Sequence, residues 1–261
     1  MMTKGISLSL AGGGARGFVH VGVLSVLLTE GLPVVEVAGS SMGAVVAAFY
    51  AAHGTVVPLA EFAATLDRTS MLFFFDPCIP RHSFMKGNKL RKLLEEWFGD
   101  RRIEKTEMPL SIVVTELRTG KDVVLRKGRI VDALMASCAI PGLLPAVRLG
   151  GDYYVDGGVS QPLPLSALRR QNTVHIGVAL PALKDFPPRM TMQPTLTEVL
   201  TLVYATARQP LFAPKDGSIL LFPEAGTMGD ILSFHRSDEF VRNGEKAARD
   251  AVPRIIRLLQ E

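Results

Sequence analysis

The chain has 261 residues, of which 48% are hydrophobic, and a formal net charge of +4. This length and hydrophobic content suit one α/β unit with a large core, so we expect a single domain over residues 1–261. The charge is too small, and the aromatic content of 7% too low, to indicate nucleic-acid binding. No uncharged apolar run approaches about 18 residues, which argues against a transmembrane helix.

The cysteines and the N-terminus indicate a cytoplasmic protein. Cys78 and Cys138 lie far apart, and neither has a second cysteine or a histidine at metal-ligand spacing. The sequence therefore predicts neither a disulfide framework nor a zinc site, and a reducing cytoplasm is the default. The apolar residues 6–10 are too few for a signal peptide and read as the first strand.

Strands and helices alternate along the first half of the chain. The pattern predicts strands at 5–11 and 34–38 and helices that end at Gly31, at Gly54 and near residue 68. The apolar stretch 71–75 is followed by Asp76, Pro77 and Pro80, which block regular structure, so it is either a cap over an apolar pocket or ordinary core. Leucines and aromatic residues at helical spacing predict an amphipathic helix over 90–98.

The second half predicts two hairpins and further helices and strands. The hairpins comprise 110–115 with 122–125 and 146–149 with 153–155; helices are predicted at 130–138, 163–170 and 196–207, and strands at 173–180 and 219–222. Residues 181–194 are proline-rich and read as a surface loop. A C-terminal helix from Asp238 should kink or break at Pro253. Such alternation is typical of one parallel-rich α/β sheet covered on both faces.

One stretch combines a strand, a sharp turn and a helix around a serine. The turn has the pattern Gly-x-Ser-x-Gly, and its residues are Gly39, Ser40, Ser41, Met42 and Gly43. A nucleophile elbow has this layout, because the turn exposes one hydroxyl above the sheet and leaves no room for side chains two positions away. We therefore predict Ser41 as a nucleophile. The N–H of Met42 would face an oxyanion at the N-terminus of the next helix.

A glycine-rich turn follows the first predicted strand; its residues are Gly12, Gly13, Gly14, Ala15, Arg16 and Gly17. One interpretation is the fingerprint of a nucleotide-binding oxidoreductase, with Glu36 as a ribose ligand, although Glu36 lies inside a strand. The other is an oxyanion hole, because adjacent glycines let N–H groups converge at a helix start. Arg16 would hold this loop or help bind the anion, unless it is a solvated surface side chain.

A serine nucleophile needs a base, and several residues are candidates. The five histidines are His20, His53, His82, His175 and His235. The order Ser41, Asp156, His235 would suit an α/β-hydrolase triad, but no motif marks His235. Asp156 ends a predicted strand, and Gly157 and Gly158 after it permit close approach of another backbone. A turn aspartate is the plainer interpretation of that motif.

Together these motifs resemble the patatin-like phospholipase family, and within it the compact bacterial members related to the neuropathy-target-esterase catalytic domain. The shared motifs are GGGARG at 12–17, GSSMG at 39–43, ASCAIP at 136–141 with LP at 144–145, DGG at 156–158 and NGEKAA at 243–248. They occur in order and span nearly the whole chain. The resemblance does not extend to residues 181–214, which contain none of the shared motifs.

The resemblance implies a three-layer α/β/α sandwich with a mostly parallel central sheet, and a dyad of Ser41 as nucleophile and Asp156 as base. It implies an oxyanion hole and a supporting loop; the former comprises Gly12, Gly13, Gly14 and Met42, the latter Arg16, Gly17, Gly39, Gly43, Gly157 and Gly158. The implied enzyme is a serine esterase of lysophospholipase or phospholipase A type. Its substrates are phospholipid, lysophospholipid or other fatty-acyl esters, and no cofactor or metal is implied.

Two other functions stay open at this stage. A nucleotide-binding oxidoreductase would survive Ser41→Ala, and a catalytically idle lipid-binding or adaptor protein would bind lipid without being acylated. The expected location is cytoplasmic, with peripheral contact at the inner membrane face. A basic run either attracts anionic lipid or forms a solvated helix face; it comprises Arg81, His82, Lys86, Lys89, Arg91 and Lys92.

Overall fold

The computed structural model describes residues 4–69, 76–78, 83–180 and 218–261. Its strands are β1 (Gly5–Leu10), β2 (Val34–Ser40), β3 (Leu110–Glu116), β4 (Asp122–Leu125), β5 (Val147–Leu149), β6 (Asp152–Asp156), β7 (Thr173–Val178) and β8 (Ile219–Leu221). Its helices are α1 (Val19–Thr29), α2 (Met42–His53), α3 (Val57–Thr65), α4 (Asn88–Phe98), α5 (Ile130–Ser137) and α6 (Ser237–Gln260). The predictions for 71–75, 181–194 and 196–207 lie outside the described residues.

One sheet contains these eight strands, in the order β5-β6-β3-β2-β1-β7-β8, with β4 also paired to β3. The inner strands β1, β2, β3 and β7 run parallel to one another, and β8 continues this direction. The two predicted hairpins supply the antiparallel pairs at the β3 side. Helices flank the sheet, which confirms the predicted α/β sandwich with a mostly parallel central sheet.

The sheet register brings three loops to one edge. Leu10 of β1 pairs with Gly39 of β2, so the glycine-rich turn and the elbow leave neighbouring strands side by side. Ser40 pairs with Val113 of β3, and the next residue of β3 pairs with Asp156. Because parallel strands present their carboxyl ends at one edge, sites in open α/β sheets form there.

The last helix, α6, packs closely on α1, the helix that follows the glycine-rich turn. A Cβ atom at Gly22 would lie 1.9 Å from the carbonyl oxygen of Val241, and one at Gly244 would lie 2.0 Å from that of Val19. Of the kink or break predicted at Pro253, the break is wrong, because α6 runs through the proline. The proline is exposed, while buried residues before and after it keep one apolar face on the domain.

The predicted helix over 163–170 is also wrong. Only a single 3-10 turn forms, at Leu165–Ala167. The N–H groups of Arg169 and Arg170 instead donate to the carboxylate of Glu36, at 2.9 and 3.0 Å. A buried carboxylate thus draws these two amides out of a helical pattern. Across the described segments, no helix is both long and apolar enough to cross a membrane.

Candidate active site

The elbow holds Ser41 in a strained backbone conformation. Its φ and ψ angles are 53° and −128°, and it is the residue immediately before α2. A Cβ atom at Gly39 would lie 2.4 Å from the backbone of Gly43, and one at Gly43 would lie 2.3 Å from the carbonyl oxygen of Leu10. Both glycines are therefore required by backbone contact. Non-glycine residues in such conformations cost about 1–3 kcal/mol and concentrate at functional sites.

A second serine, Ser137, holds the backbone of the elbow by hydrogen bonds. The N–H of Ser41 donates to Ser137 Oγ at 2.9 Å, and Ser137 Oγ donates to the carbonyl oxygen of Val113 at 2.7 Å. Ser137 is fully buried at the end of α5. It therefore links the turn to β3 and fixes the orientation of the Ser41 backbone. Sequence reasoning assigned Ser137 no role, although it lies within the 136–141 motif.

Asp156 accepts a hydrogen bond from the Ser41 hydroxyl. Ser41 Oγ lies 2.6 Å from Asp156 Oδ2, and the N–H of Gly158 donates to Asp156 Oδ1 at 2.7 Å. Asp156 is only 1% exposed. A Cβ atom at Gly157 would lie 2.2 Å from the carbonyl oxygen of Val113, so glycine is needed there for the turn to reach β3. Residues that are 115 positions apart thus form one Ser–Asp pair.

The glycine-rich turn lies against the start of α2. A Cβ atom at Gly17 would lie 2.5 Å from the Met42 side chain, and Gly14, at φ 57°, has no room for one beside Ile231. Within the described parts of the chain, no hydrogen-bond acceptor is found for the N–H groups of Gly13, Gly14 and Met42. Gly14 and Met42 line the same pocket as Ser41.

Gly12 differs from its two neighbours. Its N–H donates to the carbonyl oxygen of Pro162 at 2.9 Å. The prediction that Gly12 supplies an oxyanion donor is corrected accordingly, because its N–H is occupied. Gly12 instead attaches the start of the loop to the segment that follows Asp156. Sequence alone gave no sign of this, since the acceptor lies 150 residues away.

Two buried polar side chains hold the glycine-rich turn in place. His20 Nε2 lies 2.7 Å from the carbonyl oxygen of Ala11, and burial lowers the pKa of His20 from 6.5 to about 4. The ring is therefore neutral at pH 7 and donates through Nε2. Arg16 is 1% exposed, and its Nε donates to the carbonyl oxygen of Ala225 at 3.0 Å. The surface interpretation of Arg16 is thus wrong, and Arg16 supports the loop.

The other histidines that the structure describes contact groups away from Ser41. His53 Nε2 lies 3.1 Å from the carbonyl oxygen of Trp97, and His175 Nε2 lies 3.1 Å from that of Arg170. His235 is exposed, and nothing in the described residues joins it to Asp156. His82 lies outside the described residues. The Ser41–Asp156–His235 triad is therefore not assembled.

Glu36 lies toward the amino end of β2, away from the carboxyl end that leads to Ser41. It is 1% exposed, and its carboxylate accepts hydrogen bonds from the Ser7 hydroxyl and from the N–H groups of Arg169 and Arg170. A ribose ligand would need to face a nucleotide beside the glycine-rich turn. Glu36 is enclosed by its own chain instead, which removes the acidic ligand from the oxidoreductase interpretation.

An apolar pocket opens beside Ser41. Gly14, Ser41 and Met42 line it together with aliphatic and aromatic side chains from α2, α3, α4 and the segment after α5. Cys138 also lines this pocket; burial and the neighbouring Asp156 charge raise the pKa of its thiol, so Cys138 stays neutral. Among the residues that the structure describes, no cluster of three or more His, Cys, Asp or Glu side chains could hold a metal ion. The site thus combines a hydroxyl, a carboxylate and an apolar cleft.

Comparisons with known proteins found relatives of this chain. The chain matches an NTE family protein of Mycobacterium tuberculosis at 35% identity over 185 residues, which are 70% of this chain and 51% of that protein. It matches Lysophospholipase NTE1 of Pyricularia oryzae at 27% identity over 272 residues, or 93% of this chain and 18% of that protein. The chain thus spans about half the length of its mycobacterial relative.

Among solved structures, VipD from Legionella pneumophila aligns with a TM-score of 0.46 and 15% identity, covering 99% of this chain and 67% of that one. The family model described as patatin-like phospholipase matches residues 8–169. That match contains the glycine-rich turn, the elbow and the Asp156 turn, and it covers more than half of the chain. The chain belongs to the patatin-like phospholipase family.

Proposed function

We propose that this protein is a serine hydrolase of lipid acyl esters, of lysophospholipase or phospholipase A type, with Ser41 and Asp156 as its catalytic dyad. The observation that carries the proposal is the 2.6 Å hydrogen bond from Ser41 Oγ to Asp156 Oδ2 at the wall of an apolar pocket. We propose further that residues 1–261 act as one domain, in the cytoplasm, and meet the lipid at the inner membrane face.

The chemistry begins with a proton transfer along this hydrogen bond. Asp156 takes the proton as Ser41 Oγ attacks the ester carbonyl, and a tetrahedral oxyanion forms. The N–H groups of Gly13, Gly14 and Met42 donate to that oxyanion; each such donor is typically worth about 3 kcal/mol. Asp156 then returns its proton to the leaving alcohol. A water molecule repeats the sequence on the acyl–Ser41 ester and releases the fatty acid.

Supporting residues keep the donors in place. Gly17, Gly39, Gly43 and Gly157 remove side chains that would collide with neighbouring backbone or with Met42. Preorganised donors contribute to catalysis because they need no reorientation when the oxyanion forms. The buried His20 and Arg16 act on the same loop through the Ala11 and Ala225 carbonyl groups.

Lipid is the favoured substrate class for two reasons. The pocket wall beside Ser41 is formed almost entirely by apolar side chains, which favour burial of an acyl chain over a polar group. A relative named as a lysophospholipase aligns with 93% of this chain. An idle lipid-binding protein would share the pocket but would not need a strained serine that donates to a buried aspartate.

The proposal is tested by the mass of the intact protein after reaction with a fluorophosphonate. We expect one adduct on Ser41 in the wild type, none in Ser41→Ala and a much slower reaction in Asp156→Asn. Ser7→Ala is the matched control, because Ser7 also donates to a buried carboxylate but lies in a strand. Absence of an adduct on folded wild-type protein would overturn the proposal.

The substrate class is tested separately by release of free fatty acid. Lysophosphatidylcholine, diacyl phosphatidylcholine and triacylglycerol are each supplied to the wild type and to Ser41→Ala. Ser41-dependent release from the first two substrates supports the proposed type. Release from none of them, by a protein that reacts with the fluorophosphonate, would keep the serine hydrolase and reject the phospholipid substrates.

A further inference from the structure

The pocket beside Ser41 follows helix α2 away from the elbow. Met42 and Val45, in the first turn of α2, line it, and Phe49 lies one turn further along. An α-helix rises 1.5 Å per residue, so Phe49 lies about 12 Å from Ser41 along the helix axis. Phe49 is 4% exposed and does not itself line the pocket.

Helix α4 forms the facing wall. Four residues of its apolar stripe line the pocket; they are Leu90, Leu93, Leu94 and Trp97. The stripe from Leu90 to Trp97 is about 10 Å long. Its Trp97 end is beside Phe49, whose ring centroid is 5.7 Å from that of Trp97. The start of α4 is beside Leu144, on the segment that leads from Cys138 past Ser41.

Two aromatic side chains close the end of this wall. The rings of Phe62 and Trp97 meet edge to face at 5.3 Å and 86°, and both line the pocket. Behind them, Phe49 and the 2% exposed Phe98 form a further aromatic pair at 6.2 Å. Edge-to-face pairs are favourable beyond the area that they bury, and buried aromatic neighbours restrict the rotamers of the wall.

We propose that the Phe62–Trp97 pair is the end wall of an acyl-chain pocket and selects acyl groups of medium length. The rise of α2 from Ser41 to Phe49, which lies just behind the wall, is about 12 Å, and the α4 stripe from Leu90 to Trp97 is about 10 Å, so we take the pocket to be about 10–12 Å deep. An extended hydrocarbon chain advances about 1.3 Å per carbon, from its bond lengths, so about eight to ten carbons fit. This inference rests on the proposed esterase function and names the acyl length that the same site accepts.

Chain-length profiles test the wall directly. We would measure kcat/KM with p-nitrophenyl esters of two to sixteen acyl carbons, each below its micelle concentration. For the wild type we expect kcat/KM to rise by up to about fourfold per added methylene while the acyl chain still fits in the pocket. It should reach its maximum at eight to ten carbons. Trp97→Ala and Phe62→Ala should each move the optimum to longer chains, by about four carbons where an indole is removed.

Two variants and a control complete the series. Val45→Phe narrows the pocket one helical turn from Ser41, so it should keep hydrolysis of esters with up to about four carbons and lose that of decanoate by about 100-fold. Leu90→Trp serves the same purpose at a half-buried position, should Val45→Phe fail to fold. Phe222→Ala removes a 56% exposed ring that does not line the pocket, and its profile should match the wild type.

Binding is measured without turnover, because Trp97 is the one tryptophan of the chain. In Ser41→Ala, fluorescence emission of Trp97 should change when fatty acids of eight or more carbons are added, and much less with shorter ones. Ser41-dependent hydrolysis whose chain-length optimum is unmoved in both Trp97→Ala and Phe62→Ala would overturn the end wall and keep the esterase. Absence of any Ser41-dependent hydrolysis would instead overturn the proposed function.

Discussion

Two serines each donate to a buried carboxylate, one at the carboxyl-end edge of the sheet and one toward the opposite, amino-end edge. At one edge Ser41 Oγ donates to Asp156 at 2.6 Å, and at the other Ser7 Oγ donates to Glu36 at 2.9 Å. Both carboxylates are 1% exposed. Distance and burial therefore do not distinguish the proposed catalytic pair from the other.

The surroundings of the two pairs differ. Ser7 is fully buried within β1, its hydroxyl also lies 2.8 Å from that of Thr173, and Glu36 further accepts two backbone N–H groups. Ser41 instead has a strained backbone, lies beside N–H groups that have no acceptor among the described residues, and lines an apolar pocket. A serine–carboxylate pair is thus only one component of a nucleophile. The elbow, the proposed anion donors and the adjoining apolar pocket are the others.

The largest expected effect is a loss of activity when the Ser41–Asp156 pair is altered, but not when the Ser7–Glu36 pair is altered. Asp156→Asn should lower kcat/KM for a medium-chain ester by about 10³-fold, since a positioned base contributes 10²–10⁴-fold. Glu36→Gln and Ser7→Ala should change it by less than about threefold. The assay is run at a temperature where circular dichroism shows each variant folded. An equal loss in folded Glu36→Gln would contradict the division between the two edges.

The second prediction concerns the free energy of unfolding, which we expect to fall when the Ser7–Glu36 pair is altered. Glu36→Gln should lower the free energy of unfolding by about 3–4 kcal/mol, because an amide replaces a buried carboxylate that accepts three hydrogen bonds. Ser7→Ala keeps the Glu36 carboxylate and removes one of its donors, so it should cost about 1–2 kcal/mol. Urea denaturation of both variants measures this order. A Glu36→Gln variant as stable as the wild type would show that Glu36 does not anchor the 168–170 segment.

A pH dependence is expected at the glycine-rich turn. The pKa of His20 is about 4 in the folded protein and about 6.5 when unfolded, so the unfolded state binds more protons between these values. Stability from the neutral ring is complete above pH 6.5 and is lost as the pH falls toward 4, by about 3 kcal/mol in all. Urea denaturation between pH 7.5 and 4.5 should show this loss in the wild type. In His20→Gln, the part of the stability loss that comes from protonation of His20 should be absent.

Motifs predicted that Ser41 and Asp156 belong together, because the requirements of their turns are local. The elbow needs glycine at 39 and 43, and the Asp156 turn needs glycine at 157, so backbone contacts appear directly as sequence patterns. The other edge had no such pattern. Glu36 was open to interpretation as a ribose ligand because its partners lie at Arg169 and Arg170, more than 130 positions away.

The pocket wall was equally hidden from sequence reasoning. The leucines of α4 were recognisable as an apolar stripe, but a stripe looks the same whether it faces core or substrate. Only the tertiary structure brings Trp97 against Phe49 and Phe62 at the end of a cleft that starts at Ser41. Gly12 shows the same limit, since its distant acceptor at Pro162 decides that its N–H is not an oxyanion donor.

The smallest expected effect compares glycine with alanine at the two serines. At Ser41, where φ is 53°, glycine relieves strain that alanine keeps, so Ser41→Gly should be more stable than Ser41→Ala by about 1 kcal/mol. At Ser7, in a regular strand, Ser7→Gly should be less stable than Ser7→Ala by about 0.5–1 kcal/mol. Both comparisons omit the hydroxyl, and in each the two variants differ by the same methyl group. Thermal and urea unfolding of the four variants should therefore give opposite signs, and equal signs would mean that the Ser41 backbone is not strained.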